Sequence, residues 1–256
     1  MINDHAALAL EYHDIVNNST RNYLILSDLH IGFESDIIKK GVNLNSNIII
    51  NDILNEIHSI KNSQQFDGLI ILGDLKSSIT RITKIEWDVI PNFLLELSKD
   101  LDVFFVPGNH DGNIDILMPK SVITCNSGGL LIGDTLLIHG HTIPDNTKVN
   151  ITKIIMGHLH PIFSDPESTL NGKRIWIYLK VRKESIFGNK NKGIIEVIVV
   201  PTFNKYYYTS IQKTGKFHKH LSPFMRLLAK KDAILSGFLF TLEGSLIGDI
   251  SKLGKF

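Results

Sequence analysis

The sequence predicts an α/β protein, and three features predict it. Between residues 23 and 106, apolar runs of strand length alternate with segments of helical period. From residue 121 the rhythm changes to short strands separated by tight turns. Five of the apolar runs stop abruptly in aspartate, asparagine or histidine, at the kind of strand end where open α/β sheets gather ligands.

In chain order, residues 6–10 are short and apolar and read as an edge strand, followed by the turn cluster Asn17-Asn18-Ser19-Thr20. Residues 23–27 form the first strong strand. Residues 45–60 place Ile49, Ile50, Ile53, Leu54, Ile57 and Ile60 at helical spacing, with Asn45 or Ser46 as N-cap. The run 69–72 is continuously apolar, as a strand covered on both faces should be. Residues 82–97 read as a second helix with Trp87, Ile90, Leu94 and Leu97 on one stripe, and Pro91 placed to kink or split it. Residues 103–106 are the third strand. Strand, helix, strand, helix, strand implies parallel pairing through right-handed crossovers. Short strands then follow at 122–124, 129–132 and 135–138, with Gly133-Asp134 as the hairpin turn between the last two. Residues 153–156, 175–181 and 194–200 are β-like, a small helix follows Ser222, and 233–241 with 245–250 reads as a terminal hairpin.

At 256 residues, 43% apolar and 21% charged, the chain can bury a sizeable core and is too apolar for disorder. With no repeat and no low-complexity linker, residues 1–256 read as one domain. The single cysteine, Cys125, rules out an internal disulfide and a thiolate metal cage. Residues 1–14 lack a basic stretch ahead of an apolar one, so no signal peptide is expected. No apolar run nears the ~20 residues of a membrane span. The expected setting is cytoplasmic, with no membrane partner. The net charge of +1 conceals an asymmetry: residues 172–231 hold 14 lysines and arginines against two acids, Glu184 and Glu196, while the rest holds 13 against 24. A basic C-terminal part on an acidic body suits a polyanionic partner such as nucleic acid.

The chemistry lies at the five strand ends: Asp28-x-His30, Gly73-Asp74, Gly108-Asn109-His110-Asp111, His139-Gly140-His141 and Gly157-His158-x-His160. In an extended chain, residues i and i+2 point the same way, so Asp28 and His30 are expected to offer an oxygen and a nitrogen to one ion. The neighbouring glycines let the backbone turn sharply and come close. Carboxylates, imidazoles and one amide oxygen, with no thiolate, suit manganese first, with iron or zinc as alternatives. Seven candidate ligands exceed what one ion needs. They imply two divalent ions ~3.5–4 Å apart, with Asp74 the central candidate for a bridge, clamping the oxygens of an in-line displacement.

In this order the motifs SDLH, GD, GNHD, HGH and GHLH resemble those of the calcineurin-like metallophosphoesterases. The Gly-Asp-Leu-Lys form of the second motif and the Pro-x-Phe-Asn of Pro201 to Asn204 are similar to archaeal phosphoesterases related to the SbcD nuclease, whose bacterial relatives accompany DNA-repair helicases and ligases. The motifs cover residues 27–161. The resemblance implies two mixed β-sheets packed in a sandwich flanked by helices, with the basic part 162–256 completing the second sheet. It implies one ion on Asp28, His30, Asp74 and His160, and a second on Asp74, Asn109, His139 and His158. His110 becomes the unligated imidazole that contacts the phosphate and protonates the leaving oxygen. His141 has no fixed family role and is expected beside the ligands or against substrate. Many relatives carry an acid three residues after the Gly-Asp aspartate, where it orients the catalytic imidazole. Here that position is Ser77, so another group must orient His110; Asp111 is adjacent but need not face the site. The implied activity is metal-dependent phosphodiester hydrolysis, with nucleic acid as the first substrate class. A cyclic or linked nucleotide is the enzymatic alternative, and a non-catalytic partner of a helicase is the reading from another class.

Plainer readings stand beside these. His5, His13, His58, His218 and His220 lack a strand-end context and read as surface or core residues. Lys76 reads equally as a phosphate contact and as a solvated loop lysine. Trp87 reads as core and Cys125 as a small buried hydrophobe. Phe203, Tyr206, Tyr207 and Tyr208 lie among Lys205, Lys213, Lys216, Phe217, His218, Lys219 and His220. That mixture suits a platform for a single strand, bases on aromatics and backbone on lysines, or else an ordinary strand with aromatics inward and lysines in water. Residues 223–256 are apolar enough to complete a sheet or to form a homodimer contact.

Overall fold

The computed structural model describes residues 1–38, 41, 45–144, 150–214 and 222–253. The first sheet has five strands in sequence order: β1 (Leu8–Asp14), β2 (Ser19–Ser27), β3 (Gly68–Leu72), β4 (Asp102–Val106) and β5 (Val122–Thr124). β1 is the antiparallel edge and the other four run parallel. The crossovers are helical: α1 (Glu34–Ile38) and α2 (Ser46–Ser63) join β2 to β3, and α3 (Lys84–Leu97) joins β3 to β4.

The second sheet is built from β6 (Leu130–Ile132), β7 (Thr135–Ile138), β8 (Lys153–Met156), β9 (Trp176–Arg182), β10 (Ile194–Val199), β11 (Ile234–Phe240) and β12 (Leu246–Asp249). Its spatial order is β12-β11-β9-β10-β8-β7-β6. β7, β8 and β10 pair in parallel and the remaining pairs are antiparallel. Three further helices, α4 (Glu184–Phe187), α5 (Lys205–Thr214) and α6 (Pro223–Lys230), come from the C-terminal part. The architecture is two mixed sheets with flanking helices.

The side-chain alternation of each strand sorts the core into layers. Ile25, Ile70, Leu72 and Val106 of the first sheet meet Leu137, Ile155, Trp176 and Val200 between the sheets. Their strand neighbours Leu24, Leu26, Leu69 and Ile71 turn the other way and pack on Ile53, Ile57, Ile90 and Leu94 of α2 and α3. On the outer face of the second sheet, Ile154, Ile177 and Val197 pack with Phe224 and Leu228 of α6. Burial on both faces explains why these strands read as unbroken apolar runs.

Helix α2 is capped by Asn45, whose side chain accepts from the Asn47 N–H. Helix α3 differs from expectation in two ways. It continues through Pro91 without a break. Trp87 is also not core but 54% exposed. The buried stripe runs through Glu86, Ile90, Phe93 and Leu97, and Trp87 stands about 100° round the helix from Glu86. A buried glutamate took the place that the hydropathy pattern assigned to the indole. Residues 205–214, expected as a platform or a strand, form helix α5, and α1 and α4 were not foreseen.

Candidate metal centre

The five motifs follow the last residues of β2, β3, β4, β7 and β8. Parallel pairing puts these ends along one rim of each sheet, and the two rims face each other. Backbone bonds lock neighbouring loops together. The Asp28 N–H donates to the Gly73 carbonyl (3.2 Å), His30 N–H to Asp74 O (2.8 Å) and Gly157 N–H to His139 O (3.1 Å). Other bonds cross between the sheets, among them the one from the His158 N–H to Asp28 Oδ2 at 3.0 Å.

The local conformation corrects the sequence argument. Strand β2 ends at Ser27, and Asp28 and His30 are not extended: their φ values are +58° and +44°. Asp74 (+49°), His158 (+70°) and His160 (+45°) share this left-handed region, which non-glycine residues seldom occupy. The side chains converge because the backbone coils at each strand end, not because alternate strand residues share a face. Such conformations cost of order 1–3 kcal/mol each in sparsely populated regions and persist only where surroundings impose them. Close approach also needs glycine at two positions whose own φ is ordinary. A Cβ at Gly157 would collide with Ser27 Oγ and lie 2.7 Å from Asp28 Oδ2, and one at Gly108 would strike the Asp74 carboxylate.

Two sets of donor atoms result, each within 4.8 Å: Asp28, His30, Asp74 and His160, and Asp74, His139 and His158. Asp74 belongs to both. Its Oδ2 lies 3.7 Å from His30 Nε2 and its Oδ1 3.3 Å from His139 Nε2, so each oxygen faces one set. Asn109 Oδ1 reaches the second set, 3.2 Å from His139 Nε2. The donor atoms fit cations. Asp28 Oδ1 is buried without a hydrogen bond of good geometry, 3.1 Å from His160 Nε2. Ring nitrogens stand 3.2 Å apart between His30 and His160, and 3.1 Å between His139 and His158. Oxygen and nitrogen donors without thiolate suit a divalent ion of the manganese, iron or zinc class.

The electrostatics agree with a site designed for positive charge. Burial would raise the Asp28 carboxyl, but His160 and His139 hold it down at about 2. Burial likewise opposes ionisation of Asp74, and His139 holds it well below the usual range. Burial would lower His139, yet Asp74, Asp28 and the Leu72 carbonyl raise it to about 9. Its Nδ1 lies 2.9 Å from Leu72 O, so the proton there leaves Nε2 to face the site. His158 is lowered to about 4, by burial and then by His139.

Comparison with known proteins decides the family. Residues 21–191 match the family model described as calcineurin-like phosphoesterase. The chain belongs to that family. It is therefore a hydrolase acting on phosphate ester bonds, in a family of dinuclear metal enzymes. No curated protein matches it. Among solved structures it is similar in fold to the Pseudomonas putida nuclease MPE, with a TM-score of 0.52, 15% identity, and 93% of this chain and 97% of that one covered. It also aligns with Yfce, a phosphoesterase from E. coli, at 13% identity over 89% and 97% of the two chains. The TM-score of that alignment is 0.39.

In this phosphoesterase, the group that holds His110 is a backbone carbonyl. His110 Nδ1 lies 2.5 Å from the oxygen of Ser77, and Nε2 lies 3.8 Å from Asp74 Oδ2. The Ser77 side chain is not the partner. The carbonyl is aimed by Glu86, which accepts from the N–H groups of Ser77 (3.1 Å), Ser78 (2.8 Å) and Thr83 (2.6 Å). Glu86 and Thr83 form the capping box of α3. The Thr-x-x-Glu signature was visible in the sequence, although its reach into the site was not. Asp111 turns inward and accepts from Gly108 N–H (2.7 Å) and Lys76 N–H (3.2 Å), and burial, then Asp74, raises it to about 6. Lys76 is neither solvated nor placed to meet a phosphate: it is fully buried and its ammonium donates to the Ser78 carbonyl. His141 is half-buried with its ring 5.3 Å from that of His139, and burial, then His139, lowers it.

Sequence reasoning missed a strap. Residues 201–204 cross behind the first motif: Phe203 N–H donates to Ser27 O (2.9 Å), Thr202 Oγ1 to Asp28 O (2.8 Å) and Asn204 Nδ2 to Leu29 O (2.7 Å). Asn204 Oδ1 then accepts from the N–H groups of Tyr206 and Tyr207 at the start of α5. This carries Tyr207 onto His30, ring centroids 3.8 Å apart and planes 25° apart. The aromatic platform is thereby corrected for the described residues. Phe203 is core, the Tyr206 hydroxyl bonds Asp52, Tyr207 covers His30 and Tyr208 lies beneath Arg174. Residues 215–221, including Lys216, Phe217, His218, Lys219 and His220, lie outside the described residues. His5 pairs with Glu56 and His13 with Thr20, away from the donor sets.

Proposed function

We propose that the chain is a binuclear metal-dependent phosphodiesterase whose substrate is nucleic acid, working with manganese in the cytoplasm. The observation that carries the reading is Asp74, one oxygen facing each donor set, with His110 beside it. Asp28, His30, Asp74 and His160 would hold one ion, and Asp74, Asn109, His139 and His158 the other. When bound, two such ions supply charge neutralisation at phosphorus and a water acidic enough to attack. The chain's own part is positional. Ser77 O holds the His110 ring with Nε2 towards the site, where it can give a proton to the departing oxygen. Tyr207 closes the His30 side against water. Nucleic acid is favoured by the basic stretch 172–231 and by the fold shared with a nuclease. The Gly-Asp-Leu-Lys and Pro-x-Phe-Asn motifs favour the branch related to the SbcD nuclease.

The test is hydrolysis of bis-p-nitrophenyl phosphate and of single-stranded oligonucleotides with added Mn²⁺. Wild type should cleave both, and Asp74→Ala should cleave neither. Equal rates in the two proteins would remove the catalytic reading.

A further inference from the structure

Behind the strap lies a cavity of about 290 Å³ that the metal chemistry does not use. Lys173, Arg174, Lys205, Tyr208, Thr241 and Glu243 are among its lining residues. Three cations thus face one carboxylate. Among the described residues, none of the three cations is in an ion pair. Glu243 is exposed and is engaged with Thr241 before Lys173. Arg174 is the unusual member. Its Nη1 donates to the carbonyls of Thr202 and Phe203, both at 2.8 Å, and its guanidinium lies over Tyr208, 5.8 Å from the ring centre. The two carbonyls are neutral, and the carboxylate acting on this guanidinium, Glu56, is itself paired with His5 at 2.9 Å, so N–H donors of the five remain for an anion. Burial already works against its charged form.

We propose that this cavity is a phosphate subsite, holding a phosphate group of the substrate strand beyond the one at the metal centre. Position supports this as well as charge. Arg174 bonds the carbonyl of Thr202, and the Thr202 hydroxyl bonds the carbonyl of Asp28. The subsite therefore stands across one thickness of chain from a residue of the first donor set. A guanidinium with two ammonium groups at its rim is the donor set that phosphate oxygens take up. A substrate with a single phosphate cannot fill both places, so the cavity would select polynucleotides over small diesters. This rests on the phosphodiesterase reading above.

Lys173 and Lys205 are exposed, so the double variant Lys173→Glu/Lys205→Glu leaves the core and the strap intact. The control is Lys120→Glu, an exposed lysine just ahead of β5 and hence at the opposite end of the first sheet from the site. The double variant should raise the KM for a single-stranded oligonucleotide by about tenfold or more, with kcat kept, through lost phosphate contacts. Its hydrolysis of bis-p-nitrophenyl phosphate should not change, and the control should change neither. A second arm measures melting of the chelated protein with inorganic phosphate. If phosphate stabilises wild type but not the double variant while the oligonucleotide KM is unmoved, the subsite takes free phosphate and the substrate-strand proposal is overturned. An unmoved KM with no phosphate effect overturns the subsite altogether. Wild type that cleaves only the small diester, yet is still stabilised by phosphate through these lysines, sinks the nucleic-acid reading and leaves a phosphate site.

Discussion

The first sheet brings Asp28, His30, Asp74, Asn109 and His110 to the site, both carboxylates among them, whereas the second brings only imidazoles, His139, His158 and His160. The carboxylate side is braced by its own loops: Asp28 Oδ2 accepts from Ser27 Oγ at 2.6 Å, and Asp74 Oδ1 from the His110 N–H at 2.9 Å. The imidazole side leans on its neighbour. His139 is turned by the carbonyl of Leu72, and the His158 N–H is bound by Asp28. Charge and scaffold thus come from the first sheet, and the second adds neutral donors once the two are docked.

The sharpest way to break this comparison is to remove one ligand from each sheet. Asp74→Ala should take turnover to background, because both donor sets lose an oxygen. His158→Ala should lose metal affinity yet recover part of its activity in excess Mn²⁺; metal content and rate against Mn²⁺ concentration would show it. Equal and unrescuable losses would mean the sheets contribute alike. Next in size, His110→Ala should bind metal normally and lose ~10²–10⁴-fold in kcat. A variant that comes off the column without metal would make His110 a ligand instead. Thr202→Val keeps the shape of the strap and removes its bond to Asp28; metal affinity should fall ~10–100-fold, as for other groups that orient ligands, with little change in melting temperature. Per unit of pH the expected effect is smaller still. His139, held up to about 9 by Asp74 and Asp28 in spite of burial, carries a proton at neutral pH that a cation must displace. Metal affinity should therefore rise with pH, by about tenfold per unit between 7 and 9, and level off above. Calorimetric titrations in buffers of different ionisation enthalpy should register the released proton near pH 7.

Both sheets were legible. The strands of the second lie within about one residue of their apolar runs, and those of the first, with α2, within about four, since such patterns record burial along the chain itself. The turn from strand to αL at Asp28 and His30 was not legible, because it depends on strap residues 170 or more positions away. Helix α5 was misread for a related reason. Its three tyrosines are consecutive and so carry no period, and each is engaged with a different partner, Asp52, His30 or Arg174, while Phe203 just ahead of it is core.

By itself the sequence determined which residues could do the chemistry, and it did so through type and order: carboxylates, imidazoles and an amide, each where an apolar run stops. Composition and hydropathy suffice for that, because a buried strand must be apolar and a donor must be polar. The tertiary structure alone decided which side chains meet, that Asp74 faces both donor sets, that a serine carbonyl held by Glu86 orients His110, and that Lys173, Arg174 and Lys205 share a cavity. Those are distances between residues far apart in the chain, and they exist only after two sheets have packed and a strap has closed behind the first motif.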